Sequence, residues 1–412
     1  MDKTIWVVSA KRTPLGSFQG MLSPFSAPKL GEFAVKAAID AVPNSKSAIH
    51  GAIQELLMGC VLPAGCGQAP ARQAALGAGL PYSVACTTVN KVCGSGMKSV
   101  MLAYDLIQAG TITGAVAGGM ESMTNAPYLL NDARGGMRIG HKTTYDHLFL
   151  DGLQDAYQGE LMGVYAEKIA TKLGVTREQM DQWAAMSAKR AIDAQQHRLF
   201  DDEIAPISLN NGESSLLDFD EHPREIKLEK IPTLRPAFAP DGAVTAANAS
   251  AISDGAAALV LMEAEAAQQQ GLTPLAVITS HATHAREPSE FTLAPVFAIK
   301  QLLSQLDWSI DEIDLWEINE AFAVVTQIAV QQLGLAIEKV NVKGGACALG
   351  HPIGASGARI LVTLIHSLRQ LQQLDAEHNS ANKKVMRGVA ALCIGGGEAT
   401  AIGIEVGESL GS

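Results

Sequence analysis

The chain has 412 residues, 47% hydrophobic and 18% charged, which is too long for one ordinary core and points to a compact protein of two or more lobes. Lys and Arg number 31 against 42 Asp and Glu, a formal net charge of −11 without a basic run, which argues against nucleic acid or an anionic membrane as partner. No apolar stretch reaches the ~20 residues that span a bilayer. The six cysteines form no C-x-x-C pair, so a reducing compartment is expected, without zinc or structural disulfides.

From Met1 the chain runs directly into an apolar segment at 5–10, with no signal or transit peptide expected. Its end, Glu408-Ser409-Leu410-Gly411-Ser412, is not a peroxisomal tripeptide, and the protein is expected to be cytoplasmic. Apolar runs at 5–10, 56–58, 115–117, 259–262, 315–318 and 389–394 read as buried strands. Residues 94–110 read as a helix, which puts Cys93 at or just before a helix N-terminus. Over 123–250 the texture changes. Thr176-Arg177-Glu178-Gln179 is a capping box opening a helix through Trp183, Ala184 and Ala191, and 210–230 is polar, charged and turn-rich. This segment reads as an inserted lobe. Ser309-Ile310-Asp311-Glu312 is a second capping box. Ala321, Val324, Val325, Ile328 and Ala329 form one helix face, with Gly334 just past its end. Alternating strands and helices indicate an α/β chain with helices over a mostly parallel sheet.

A faint repeat runs through this order. Ser95-Gly96-Met97-Lys98-Ser99-Val100 is similar to Ser356-Gly357-Ala358-Arg359-Ile360-Leu361, each opening an apolar helix. Gly118-Gly119-Met120-Glu121 is similar to Gly395-Gly396-Gly397-Glu398, each expected to end an apolar strand. A duplicated α/β unit is therefore expected.

Two thiols and an imidazole stand among glycines, in Val92-Cys93-Gly94-Ser95-Gly96, Gly350-His351-Pro352-Ile353-Gly354 and Cys393-Ile394-Gly395-Gly396-Gly397. One thiol suits a nucleophile and the other an acid/base, with the imidazole poising the pair. A helix N-terminus at Cys93 is expected to lower its pKa. Cys393 closes a strand at the sheet edge where α/β folds bind ligands. Asn319 follows the strand at 315–318 and reads as an N-cap, as a holder of water, or as both. Ser250 lies in a run of small residues that would admit a slim ligand arm or close packing. Cys60, Cys66 and Cys86 read as structural.

Together these segments resemble the thiolase family over essentially the whole chain. The resemblance is carried by Arg12-Thr13-Pro14-Leu15-Gly16, Gly67-Gln68-Ala69-Pro70-Ala71-Arg72-Gln73, Asn90-Lys91-Val92-Cys93, Gly118-Gly119-Met120-Glu121-Ser122-Met123 and Asn248-Ala249-Ser250. It continues in Asn319-Glu320-Ala321-Phe322, Gly350 to Arg359 and Cys393 to Gly397. It implies a duplicated five-layer αβαβα core, with halves at 1–122 (completed by about 251–273) and 274–412 and an inserted loop domain at 123–250. It also implies a homotetramer that interconverts two acetyl-CoA with acetoacetyl-CoA and CoA, with no permanent cofactor or metal. By the resemblance Cys93 takes the acyl group and Cys393 is the acid/base. His351 and a water on Asn319 would form one oxyanion hole, and the N–H groups of Cys93 and Gly395 the other. Coenzyme A would lie along Ser250, Leu153, Met162, Phe238, Ala321 and Phe322, with Arg224 and Lys230 near its nucleotide. Leu161 stands where many acetoacetyl-CoA thiolases have His, which bears on acyl-chain preference. Thr292 and Ala188 replace the Pro and Tyr of potassium-activated members, so no potassium site is expected. The alternatives are a broad-range degradative thiolase and a non-catalytic CoA- or lipid-binding relative. A β-ketoacyl synthase is disfavoured by Cys393.

Overall fold

The computed structural model describes residues 3–43, 49, 51–209, 215–378, 385–407 and 410. Within it lie the nine strands that run through the main sheet: β1 Ile5–Arg12, β2 Glu55–Gly59, β3 Ala85–Val89, β4 Gly114–Ser122, β5 Ser253–Glu263, β6 Ala276–Ala285, β7 Leu315–Ile318, β8 Met386–Ile394 and β9 Glu398–Val406. The main helices are α1 Ala27–Asp40, α2 Pro70–Gly77, α3 Ser95–Gln108, α4 Met162–Leu173, α5 Arg177–Gln196, α6 Ala294–Leu306, α7 Ala323–Leu333 and α8 Ser356–His378. The ends at 1–2, 408–409 and 411–412, and residues 210–214 of the turn-rich stretch, lie outside the described residues.

The strand order is β7-β8-β9-β6-β1-β5-β4-β2-β3. It contains the same unit twice. In the first half β3, β2 and β4 are parallel, and β5 and β1 follow antiparallel. In the second, a bridge from Val340 to β7 and then β8 are parallel, and β9 and β6 follow antiparallel. The halves meet where β1 pairs antiparallel with β6, from Ile5 opposite Ile278 to Val7 opposite Ala276.

The expected mostly parallel sheet is thus corrected to a mixed one. The three-residue link from Ile394 to Glu398 can only return the chain antiparallel, because parallel neighbours need a long crossover. The two Gly-Gly-x-Glu segments are also not equivalent. Gly118 to Glu121 lie inside β4, whereas Gly395 to Gly397 form the turn between β8 and β9.

Strand alternation divides the apolar residues among three layers of contact. Leu56 and Met58 of β2 face α1 and α2 on one outside, and Leu57 faces inward. Val389 and Ala391 of β8 face α6 and α7 on the other outside, while Ala390 and Leu392 face inward. Between the two halves of the sheet lie α3 and α8, through Met97, Val100 and Met101 against Ala358, Leu361 and Ile365. The result is five layers. The segment between β4 and β5 adds no strand to the main sheet; its short strands pair with one another. It is tied back by Arg12, fully buried, which donates to Glu203 at 2.7 Å and to Asp220 at 2.7 and 2.9 Å.

The two central helices begin almost backbone to backbone. A Cβ on Gly119 would sit 2.0 Å from the Gly354 carbonyl oxygen, one on Gly59 2.6 Å from it and one on Gly96 3.0 Å from it. The first capping box forms as expected, with Thr176 Oγ1 accepting from the Gln179 N–H at 3.2 Å. The second opens a single turn, Ile310–Glu312.

Gly119→Ala should therefore lower stability by ~1–3 kcal/mol or more, because the clash is with main chain that no rotamer can relieve. Urea unfolding of both proteins checks this. Unchanged stability would mean that β4 and the Gly354 carbonyl are not held at that close distance.

Candidate active site

Cys93 sits on a tight turn between β3 and α3. Val92 has φ +46°, a strained backbone for a β-branched residue. Neighbouring side chains hold it there. Asn90 Oδ1 accepts the Val92 N–H at 2.9 Å, and Ser95 Oγ accepts the Lys91 N–H at 2.8 Å while donating to the Val92 carbonyl at 2.7 Å. Lys91 pairs with Glu398 across the site. Gly94 is pressed on Ile394, whose Cδ1 lies 2.4 Å from where a Cβ would stand. The N–H groups of Cys93 itself and of Gly395 lie near enough to the sulfur to favour its thiolate.

These donors do not win. Burial pushes the Cys93 thiol up to about 11, which corrects the lowered value expected from the helix N-terminus. Desolvation of the thiolate outweighs the two backbone N–H groups, and the nearby Glu121 charge adds to the rise. Cys393, 1% exposed near the end of β8, is raised well above the usual thiol range by burial and by the charge of Cys93.

His351 is buried, and its loop is anchored by a hydrogen bond from its N–H to the Ala251 carbonyl at 3.0 Å. Ser356 Oγ donates to the Pro352 carbonyl at 2.9 Å, so at 2.5 Å it accepts from Nδ1 of His351. That fixes the tautomer and leaves the lone pair on Nε2. Burial, with the Arg359 charge in support, pushes the imidazole down to about 3. It is therefore neutral at every ordinary pH. Asn319 Nδ2 lies 3.4 Å from Nε2, and Asn319 Oδ1 has no protein partner among the described residues. Asn319 is not an N-cap, because α7 starts only at Ala323.

Glu121 fastens these loops together. Its buried carboxylate accepts the N–H of Val61 at 3.0 Å, Leu62 at 3.1 Å and Gly354 at 2.8 Å, with the Cys60 thiol at 3.6 Å. Burial still pushes it up to about 7. Glu320 does the same for the inserted segment, accepting from Trp183 Nε1 at 3.0 Å, Ser187 Oγ at 2.7 Å, Asn341 Nδ2 at 2.9 Å and the Cys347 N–H at 3.1 Å.

A cavity of about 500 Å³ opens onto His351. Ser250, Leu153, Met162, Phe238, Ala321 and Phe322 all line it, as does Leu161. The Ser250 N–H donates to the Ala321 carbonyl at 3.0 Å, which brings those two walls together. Gly395 borders the same space, since a Cβ there would meet Met162 Sδ at 3.3 Å. Cys93 packs against Ile353, another lining residue, and Leu153 joins the same apolar cluster.

An adjoining cavity of about 240 Å³ shares His222, Glu225 and Ala246 with the first and is lined by Lys227 and Lys230. Arg224 lines neither cavity. Its guanidinium lies 3.2 Å from the centre of the Phe219 ring, a cation–π contact that holds it aside. Sequence reasoning missed Phe149 and Lys227. Phe149 sits in the π-helical turn Leu148–Leu153, which no periodicity announces, whereas Lys227 was available in the charged stretch.

The arrangement offers a thiol on a strained turn beside a second buried thiol, a neutral imidazole lining an apolar cavity, and lysines lining the cavity that adjoins it. The family model described as "Thiolase, N-terminal domain" matches residues 5–265, and "Thiolase, C-terminal domain" matches 272–406. Acetyl-CoA acetyltransferase 1 of Arabidopsis thaliana is 46% identical over 407 residues, covering 98% of this chain and 94% of the relative. The acetyl-CoA acetyltransferase of Cupriavidus necator is 44% identical over 402 residues, covering 97% and 98%. The crystal structure of the Ascaris suum Acat5 thiolase in complex with coenzyme A superposes with a TM-score of 0.89 at 42% identity, covering 98% of this chain and 100% of that one.

With the thiol near 11, iodoacetamide alkylation of Cys93 in the free protein should rise about tenfold per pH unit from about pH 7 to 10. The alkylated peptide is quantified by mass spectrometry. A plateau by about pH 8.5 would mean that the helix terminus outweighs burial.

Proposed function

The chain belongs to the thiolase family, and on that premise we propose that it catalyses reversible condensation of two acetyl-CoA to acetoacetyl-CoA and CoA through an acyl-enzyme on Cys93. One observation carries the reading: the turn that holds Cys93 packs directly on the strand end that holds Cys393, with Gly94 pressed on Ile394 and Gly395 beside Val92.

Chemistry starts from three neutral groups. As a thioester approaches, His351 Nε2 takes the Cys93 proton and the thiolate attacks the acetyl carbonyl carbon. The bond to CoA sulfur breaks, and the departing thiolate takes the Cys393 proton and leaves as CoA. A thioester is exchanged for a thioester, so this half-reaction is nearly balanced in energy. The Cys393 thiolate then removes an α-proton from a second acetyl-CoA. The enolate oxygen accepts from the new Nε2–H of His351 and from a water on Asn319, a role supported by the unpartnered Oδ1 of Asn319. The enolate carbon attacks the acetyl group on Cys93, and the resulting oxyanion lies on the Cys93 and Gly395 N–H groups. Breaking the bond to Cys93 sulfur releases acetoacetyl-CoA, and His351 returns the proton to Cys93. Each preorganised donor contributes about 3–4 kcal/mol to the transition state.

The apolar cavity suits the pantetheine arm, and Lys227 and Lys230 of the adjoining cavity would supply cations to the nucleotide phosphates. No permanent cofactor is invoked. A cytoplasmic enzyme of fatty acid metabolism fits the six free cysteines. The homotetramer is supported by β3, an edge strand with partly exposed side chains and no neighbour on its outer side among the described residues.

Incubation with radiolabelled acetyl-CoA, followed by peptide mapping, should place the label on Cys93, and Cys93→Ser should abolish it. Asn319→Ala should cost on the order of 10²-fold in turnover. Acetoacetyl-CoA should be cleaved with higher kcat/KM than C6 or C8 3-ketoacyl-CoAs. A preference for C8 would replace this reading with a broad-range thiolase.

A further inference from the structure

A second polar cavity, of about 330 Å³, lies away from the thiols, about 20 Å along α8 from the Ser356 end. It opens where the sheet splits. β6 pairs with β1 only over Ile5 to Val7, and past Val7 that edge of β1 borders the cavity instead of a strand. Ser9 and Lys11 of β1 line one side. His366, Arg369, Gln370 and Gln373 line the other, one face of α8 at helical spacing. Thr273 closes a third side.

The polar groups here are under-used. Ser9 is 2% exposed, and its hydroxyl has no hydrogen-bond partner. Lys11 Nζ donates to the Asp202 backbone carbonyl at 2.6 Å but joins no ion pair, and the Arg369 guanidinium has no partner among the described residues. Asp202 is the one acidic side chain of the lining, against two cations. Burial holds both Lys11 and Arg369 below their ordinary pKa values, against the opposing charge of Asp202 on both and of Glu203 on Lys11. His366 stands neutral and donates through Nε2 to the Ala10 carbonyl at 2.9 Å.

We propose that this cavity binds a phosphate group, free or carried on a small organic molecule. A planar carboxylate has two oxygens, whereas donors here line three sides: the Arg369 fork, the Lys11 ammonium, the Ser9 and Thr273 hydroxyls and the Gln373 amide, while the Gln370 amide is held by the Leu199 carbonyl at 3.0 Å. A tetrahedral anion with three or four acceptor oxygens uses them best. The volume exceeds what a bare phosphate fills, which leaves room for a short substituent. The site is independent of the acyl-transfer reading.

The test is equilibrium dialysis of the full chain with radiolabelled inorganic phosphate, with chloride holding the ionic strength, in the presence and absence of saturating CoA. Saturable uptake of about one phosphate per chain that CoA does not displace is expected. Arg369→Gln and Lys11→Gln should each weaken it about tenfold or more. Asp202→Asn should tighten it severalfold, and all three should keep the turnover of the parent protein. Competition by glycerol 3-phosphate would identify a monoester as the ligand, and its failure to compete would identify free phosphate. Uptake that does not saturate, that CoA displaces, or that both cation variants leave unchanged overturns the site.

Discussion

One backbone oxygen sets the geometry. The Gly354 carbonyl lies against Gly59 at the end of β2 and Gly119 inside β4, both closer than a Cβ allows, and against Gly96 at the start of α3, where a Cβ would be tight. The Gly354 N–H is meanwhile held by Glu121. One helix start and two strands from one half are thereby locked to the His351 turn of the other. Nothing larger than glycine fits, and a carboxylate is buried at 0% exposure to complete the lock. Its pKa near 7 records the cost of that burial, partly offset by three backbone donors.

The same dryness governs the chemistry. Burial raises both thiols and lowers the imidazole, so the resting site holds no separated charge among its three reacting groups. Once protons move, the charges are close together in a medium of low polarity, where donors act more strongly than in water. Burial also makes the resting thiol a poor nucleophile, and in the proposed mechanism its activation waits for a substrate that brings His351 into use. Protein donors, rather than a standing thiolate, carry the selectivity between resting and reacting states.

Much of this was legible in the chain. Cys93, His351 and Cys393 announced themselves through the glycines around them, and the Ser-Gly repeat at 95 and 356 marks the two central helices. The six residues expected along coenzyme A, from Leu153 to Phe322, all line one cavity. What failed did so for physical reasons. Strand direction leaves no mark on an apolar run, so the mixed sheet was unreadable until the short turn at Gly395 was seen joining β8 to β9. A helix terminus is visible in sequence but its desolvation is not, so the sign of the Cys93 shift was misread. Asn319 looked like a cap because the three residues before α7 carry no helix-breaking signal. Glu121 appeared in a motif, yet its role depends on partners 60 and 233 positions away.

The central claim is a division of labour between two thiols that this fold brings together: Cys93 carries the acyl group and Cys393 moves the α-proton. Proton exchange at the acetyl-CoA methyl group separates the two. In D₂O, mass spectrometry should find Cys393→Ala forming the acetyl-enzyme on Cys93 while deuterium wash-in falls to background. Wash-in at the parent rate in that variant would contradict the account and assign the base elsewhere.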